Sequence, residues 1–324
     1  MPSIPPIPIA QNWTSAAGAL EAILNYLGEP LPRHAVMGLS GHAWHFCLGT
    51  RGDVTALPSG VADIDPAWLV EAYARTGFTW ERFGVPLDGA DEARLKGEAI
   101  VWARARLDAG RPLIGWDFHL HEHAVVFGYD QARDGFLVSD VLTPDVGSFV
   151  ATADWPSTVG RIELLAPGAP TPAEPIETIS MALNGAIDAF AGGDGAHDGQ
   201  PRGTAGLRAW AEAFEGDGEV DRAGNAYILA VLAAARTDGA AFLADLADSL
   251  PGAGEPLRTA AQALNDETRA LSPLLTLFPF PSGGHGNVAN PGLRRAAAMA
   301  LRRAAGHEED AAGHIRAAIA AIGS

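Results

Sequence analysis

The chain has a single cysteine, Cys47, and a single lysine, Lys96. A lone thiol forms no internal disulfide and no Cys-based zinc cluster, so packing alone must hold the fold, and a reducing cytoplasm fits. No apolar run reaches the roughly eighteen residues that span a bilayer. The opening MPSIPPIPIA carries no basic segment ahead of a helical apolar stretch, so neither membrane insertion nor export is expected. Positive charge is also scarce: 22 Lys and Arg against 39 Asp and Glu give a net charge of −17. That balance argues against a nucleic-acid partner, which needs clustered basic side chains over a whole face.

What is present suits a globular protein of two domains. The 324 residues are 48% hydrophobic and 19% charged, enough to bury a sizeable core and more than one core usually holds. Ser15 to Leu27 sets Leu20, Ile23, Leu24 and Leu27 on one helical face and stops at Gly28, before Glu29-Pro30. Further helices are expected over Ala67–Thr76 and Asp91–Ala109. Short β-rich runs follow at Arg111–Phe118, His123–Asp130, Phe136–Asp140 and Arg161–Leu165, the second and third joined by an Asp134-Gly135 hairpin turn. The proline-rich stretch Ala166–Pro175 reads as a linker. Beyond it Ile176, Ile179, Leu183, Ile187 and Phe190 step at helical spacing, as do Ile315, Ile319 and Ile322. The expected organisation is therefore a mixed α and β domain over 1–165, a linker over 166–175 and a helical domain over 176–324.

Three distant residues suggest nucleophilic chemistry. Ser15 stands at the start of a buried helix, where the dipole end is positive; His123 opens a strand; Asp140 ends the next. A serine hydroxyl needs a base, and a histidine steadied by a carboxylate supplies one. The alternative for Ser15 is a helix N-cap, for His123 a buried hydrogen-bonded ring, and for Asp140 a turn residue.

SAAGALEAILNYLG resembles the Cys-x-x-x-Ala-Leu-x-x-x-Leu-x-Tyr-x-Gly helix of the butirosin-biosynthesis protein H N-terminal family, relatives of papain-like cysteine peptidases. PLIGWDFHLHEHAVVFGYDQARDGFLVSD resembles that family's strand, histidine, Gly-Tyr-Asp, strand, Asp segment. The helical second half resembles the domain of unknown function that often follows. The resemblance implies an α+β papain-like fold, an N-terminal helix packed on an antiparallel sheet, with an all-helical C-terminal domain. It also implies an acyltransferase of antibiotic assembly that moves an acyl group from a carrier-protein thioester to an amine. Ser15 would be the nucleophile, in the place of the family's cysteine, with His123 as base and Asp140 orienting the ring. Gln11 and Asn12, just upstream of Ser15 though not at the papain-like spacing for an oxyanion-hole side chain, would contact substrate. His42, Trp44, His45, Asp117 and Tyr129 would contact substrate. The implied partners are a small-molecule substrate and an acyl carrier protein whose phosphopantetheine bears the thioester; no other cofactor is expected.

Two other readings stay open. In one, covalent chemistry is lost, and His123 and Asp117 serve as acid and base of a cyclase-like enzyme or hold a substrate. In the other, Asp117, His119, His121 and His123 alternate along one strand and bind a metal on its face, unless that run is a hairpin tip. Cys47, among aromatics, is a displaced nucleophile or a small buried hydrophobe. Arg294, Arg295, Arg302 and Arg303 share one broad side of a helix and either receive a phosphate or an acidic surface, or simply face solvent.

Overall fold

The computed structural model describes residues 4–49, 54, 66–87, 89, 91–145, 147–157, 160–171, 175–193, 199–216 and 220–323. The chain divides into two compact units, Met1–Val36 with Pro66–Pro172, and Met37–Asp65 with Ala173–Ser324.

The first unit is a mixed α+β structure. It contains α1 (Ser15–Leu27), α3 (Pro66–Ala74) and α4 (Glu92–Asp108), and strands β1 (Phe78–Pro86), β2 (Leu113–Trp116), β3 (His123–Asp130), β4 (Gly135–Ser139), β5 (Ser148–Ala151) and β6 (Arg161–Pro170). A short helix, α2 (Arg33–Leu39), follows α1. The strands form one antiparallel sheet in the order β1-β6-β2-β3-β4-β5. α1 ends as its sequence indicates: Gly28 adopts φ 83, a left-handed conformation that costs glycine little, and its N–H returns to the helix carbonyls. Asp134 and Gly135 close the β3–β4 hairpin. Leu113, Val126 and Val138 pack with Ala99, Ala103 and Leu107 of α4, and Trp155 stacks on Phe118 at a centroid distance of 5.0 Å. The Trp155 indole N–H donates to the carbonyl of Trp116 at 3.0 Å, which ties the end of β2 to the core.

The first half of the linker expected over 166–175 is strand, and the division between the two units falls within that stretch, after Pro172. β6 runs on to Pro170, pairing with β1 from Pro86↔Arg161 to Phe78↔Pro170, and α5 begins at Pro175; residues 172–174 lie outside the described residues. Proline is tolerated here because β6 meets β2 only at Leu164 and Leu165, so beyond them one side of the strand asks for no ladder donors. β1 and β5 are additional to the strands that periodicity indicates.

The second unit is all helical where it has regular structure: α5 (Pro175–Phe190), α6 (Gly203–Glu215), α7 (Arg222–Ser249), α8 (Gly254–Leu277) and α9 (Pro291–Ile322). α9 opens on the Asn290 cap, whose side chain accepts from the N–H groups of Gly292 and Leu293, with Pro291 at the first helical position. α7 is long and apolar enough to cross a membrane by length and composition, with a best-window hydropathy of 1.4, and 67% of that window is buried inside the protein.

Residues 37–49 pack into the same helices. Trp44 meets Phe190 and Phe242, Phe46 stacks on Trp210 at 5.7 Å, and Cys47 bridges to Arg202. Buried charge joins them: Arg236 of α7 donates to Glu308 of α9 at 2.6 Å, to Glu267 of α8 at 3.2 Å and to the carbonyl of Ala43 at 2.7 Å. Thr204 of α6 donates to Glu308 at 2.9 Å. Three helices and the 37–49 segment thus meet at one guanidinium, with α6 joined through Glu308, and removing either partner of so dry a pair strands the other charge.

Candidate functional site

The residues with chemical potential in the first unit gather around the β2–β3 connection. That connection is a hairpin tip, because Asp117 turns to φ 63 and its N–H donates to the carbonyl of Glu122 at 3.1 Å. The alternation of Asp117, His119, His121 and His123 breaks at this tip, so the shared face that the metal reading requires does not form. Asp117 is buried and accepts from Ser157 Oγ at 2.5 Å, while His119 turns toward Asp140. Among the described residues no three His, Cys, Asp or Glu side chains could hold a metal ion together.

Ser15 is the first residue of α1, and the N-cap is Thr14. Its hydroxyl reaches across to the sheet, accepting the backbone N–H of His123 at 3.0 Å and donating to Glu122 Oε2 at 2.5 Å. Ser15 and His123 are therefore brought together, but the contact runs through the histidine's main chain and not its ring. The side chain is 2% exposed.

Asp140 also departs from its expected role. Its Oδ1 accepts from the N–H groups of Leu142 and Thr143 at 2.9 and 3.0 Å, an Asx-type turn at the end of β4. Its Oδ2 meets Nδ1 of His119, not the ring of His123. The other ring nitrogen of His119, Nε2, lies 3.2 Å from Ser148 Oγ at the start of β5. A carboxylate only accepts, so Nδ1 of a neutral His119 carries the proton and Nε2 presents its lone pair to the Ser148 hydroxyl. Carboxylate, imidazole and hydroxyl stand in series, with Asp140 buried and the His119 side chain 28% exposed.

The remaining expected contacts lie elsewhere. Asn12 Oδ1 accepts the N–H of Thr14 at 2.9 Å and so steadies the approach to α1, while Gln11 is exposed and its carbonyl accepts from Arg33. Tyr129 is six residues along β3 from His123, about 20 Å at strand spacing, and its hydroxyl donates to Asp108 at 2.9 Å. His42, Trp44 and His45 are buried core residues of the second unit, Trp44 held by an indole bond to the carbonyl of Gly38 at 3.0 Å. Cys47 is buried there too. Of the arginines on α9, Arg294 donates to the carbonyls of Ala213, Phe214 and Gly216 and so caps α6, and Arg302 forks onto Glu215 at 2.8 and 2.6 Å.

Ser148 and Glu122 are the site residues that sequence reasoning missed. Ser148 sits on a four-residue edge strand with no motif around it; only its arrival beside His119 marks it. No protein-family model matches the chain, and no curated protein matches it.

Proposed function

We propose that the first unit is an acyl-transfer enzyme, hydrolytic or transferring, in which Ser148 is the nucleophile, His119 its general base and Asp140 the group that fixes the ring. The observation that carries this reading is the His119 imidazole bridging Asp140 through Nδ1 and Ser148 through Nε2. Ser148 Oγ attacks the carbonyl carbon of an ester or thioester while its proton passes to Nε2; the imidazolium, steadied by Asp140, then protonates the departing alcohol or thiol. An amine or water attacks the acyl carbon next as its proton passes to Nε2, and the imidazolium returns that proton to Ser148 Oγ as the acyl–oxygen bond breaks, which releases the amide or acid and restores the hydroxyl.

Ser15 is the weaker nucleophile candidate. Its hydroxyl donates to Glu122 and its oxygen accepts the main-chain N–H of His123, so the contacts it makes are to a carboxylate and a peptide N–H and not to an imidazole nitrogen. The butirosin H resemblance implies the same class of reaction from position 15; this assignment keeps the class and moves the nucleophile. The papain-like character of the unit belongs to the same proposal, supported by α1 opening at Ser15 and packing on β3 of an antiparallel sheet. A carrier thioester is the donor that resemblance implies, and is the first substrate to try after simple esters.

The experiment is intact-mass and peptide mapping after incubation with a fluorophosphonate and, separately, with an acyl-carrier thioester. One adduct on Ser148, lost in His119→Ala, is expected. An adduct on Ser15, or none with either reagent, sinks the assignment.

A further inference from the structure

Between α8 and α9 of the second unit lies a cavity of about 310 Å³ lined by Asp266, Arg269, Ala270, Pro273, Arg303 and His307. In a chain of net charge −17, it gathers two guanidiniums and an imidazole against one carboxylate. Ala270 and Pro273 are short, which leaves room between the helices. Arg303 and His307 are four residues apart on α9 and so project from one face, and Arg269 comes from α8 opposite.

The arginines of α9 have different employments. Arg294 caps α6 and Arg302 is taken by Glu215. Arg303 follows Arg302 by about 100° of helix, which turns it to the cavity, and neither it nor His307 makes a hydrogen bond or ion pair with any described residue. Asp266 pairs with Arg269 and so holds that guanidinium at the rim.

We propose that this cavity binds a phosphate group, as inorganic phosphate or a phosphate monoester, between Arg303, Arg269 and His307. Guanidinium forks match tetrahedral oxyanions, and a phosphate has enough acceptor oxygens for three donors arranged around it. The single carboxylate of Asp266 works against a polyanion or an extended acidic surface, which leaves one phosphate as the ligand of matching charge. The site is independent of the acyl-transfer reading, since it uses none of that reading's residues.

The test is a titration of the full chain with inorganic phosphate at constant ionic strength, following the His307 ring signals by NMR, with acetate as comparison. A saturable shift of His307 is expected, weakened about tenfold or more in Arg303→Gln and in Arg269→Gln and unchanged in Arg295→Gln, a neighbouring exposed arginine outside the cavity. Absence of saturation, an equal response to acetate, or an equal loss in Arg295→Gln overturns the proposal. Circular dichroism of each variant shows that the helices are intact, so a lost signal reports binding and not folding.

Discussion

Nε2 of His119 lies 3.2 Å from Oγ of Ser148, the separation at which a neutral imidazole can take a hydroxyl proton. A general base of this kind contributes about 10²–10⁴-fold. His119→Ala is therefore expected to slow Ser148 acylation by that factor, read as the rate of fluorophosphonate labelling. Asp140→Asn should slow it as well by disturbing the tautomer, while one side-chain oxygen still accepts from Leu142 and Thr143 and keeps the turn. Labelling of the two variants at the rate of the parent protein would remove His119 from the mechanism.

Ser15→Ala separates the two serines. It removes the acceptor of the buried His123 N–H and one donor to the Glu122 carboxylate. Stability should fall by about 1–3 kcal/mol, the usual penalty for an orphaned buried polar group. Chemical denaturation measures that loss. Labelling at Ser148 should persist, and its disappearance in a variant that still folds would return the nucleophile to position 15.

Glu267 makes the second unit sensitive to alkali. Its carboxyl is pushed up to about 8, first by burial, with the Arg236 charge opposing and the Glu308 charge adding to the shift. Its Oε2 has no hydrogen-bond partner among the described residues. The ordinary value is 4.5, so between that and about 8 the folded chain holds a proton that the unfolded chain has released. Stability from this group is complete below the unfolded value, declines as pH rises across the window, and levels off above it. Glu267→Gln cannot ionise and should flatten that decline. Denaturation midpoints at about pH 6 and about pH 9 test it, and a parent protein no weaker at the higher pH would refute it.

Two helical glycines should respond oppositely to alanine. At Gly239 a Cβ would stand 2.6 Å from Cζ3 of the buried Trp44 ring, whereas at Gly306 it would meet nothing within 4 Å. Glycine to alanine in a helix gains up to about 1 kcal/mol, and overpacking a core costs about 1–3 kcal/mol. Gly306→Ala should raise the thermal midpoint and Gly239→Ala should lower it. A rise in both would mean that Trp44 can move.

Much of the architecture is legible along the chain because it is local. The apolar spacing from Leu20 to Leu24 and the stop at Gly28 specify α1, and the Asp134-Gly135 turn between alternating runs specifies the β3–β4 hairpin. Proline misleads at 166–170, since a strand with one unpaired side satisfies the same composition as a linker. The grouping of residues 37–49 with the helical unit is equally hidden, because it depends on Trp44 and Phe46 finding aromatic partners far along the chain.

By itself the sequence determined the class of each half, the short list of hydroxyl, imidazole and carboxylate groups, and the acidic charge. Those follow from periodicity and composition, which act over a few residues. Only the tertiary structure decided which histidine Asp140 would meet and which serine would stand beside that histidine. The reason is geometric: a positive φ at Asp117 turns the hairpin tip, a change too small to leave a pattern, and it brings His119 rather than His123 to the end of β4.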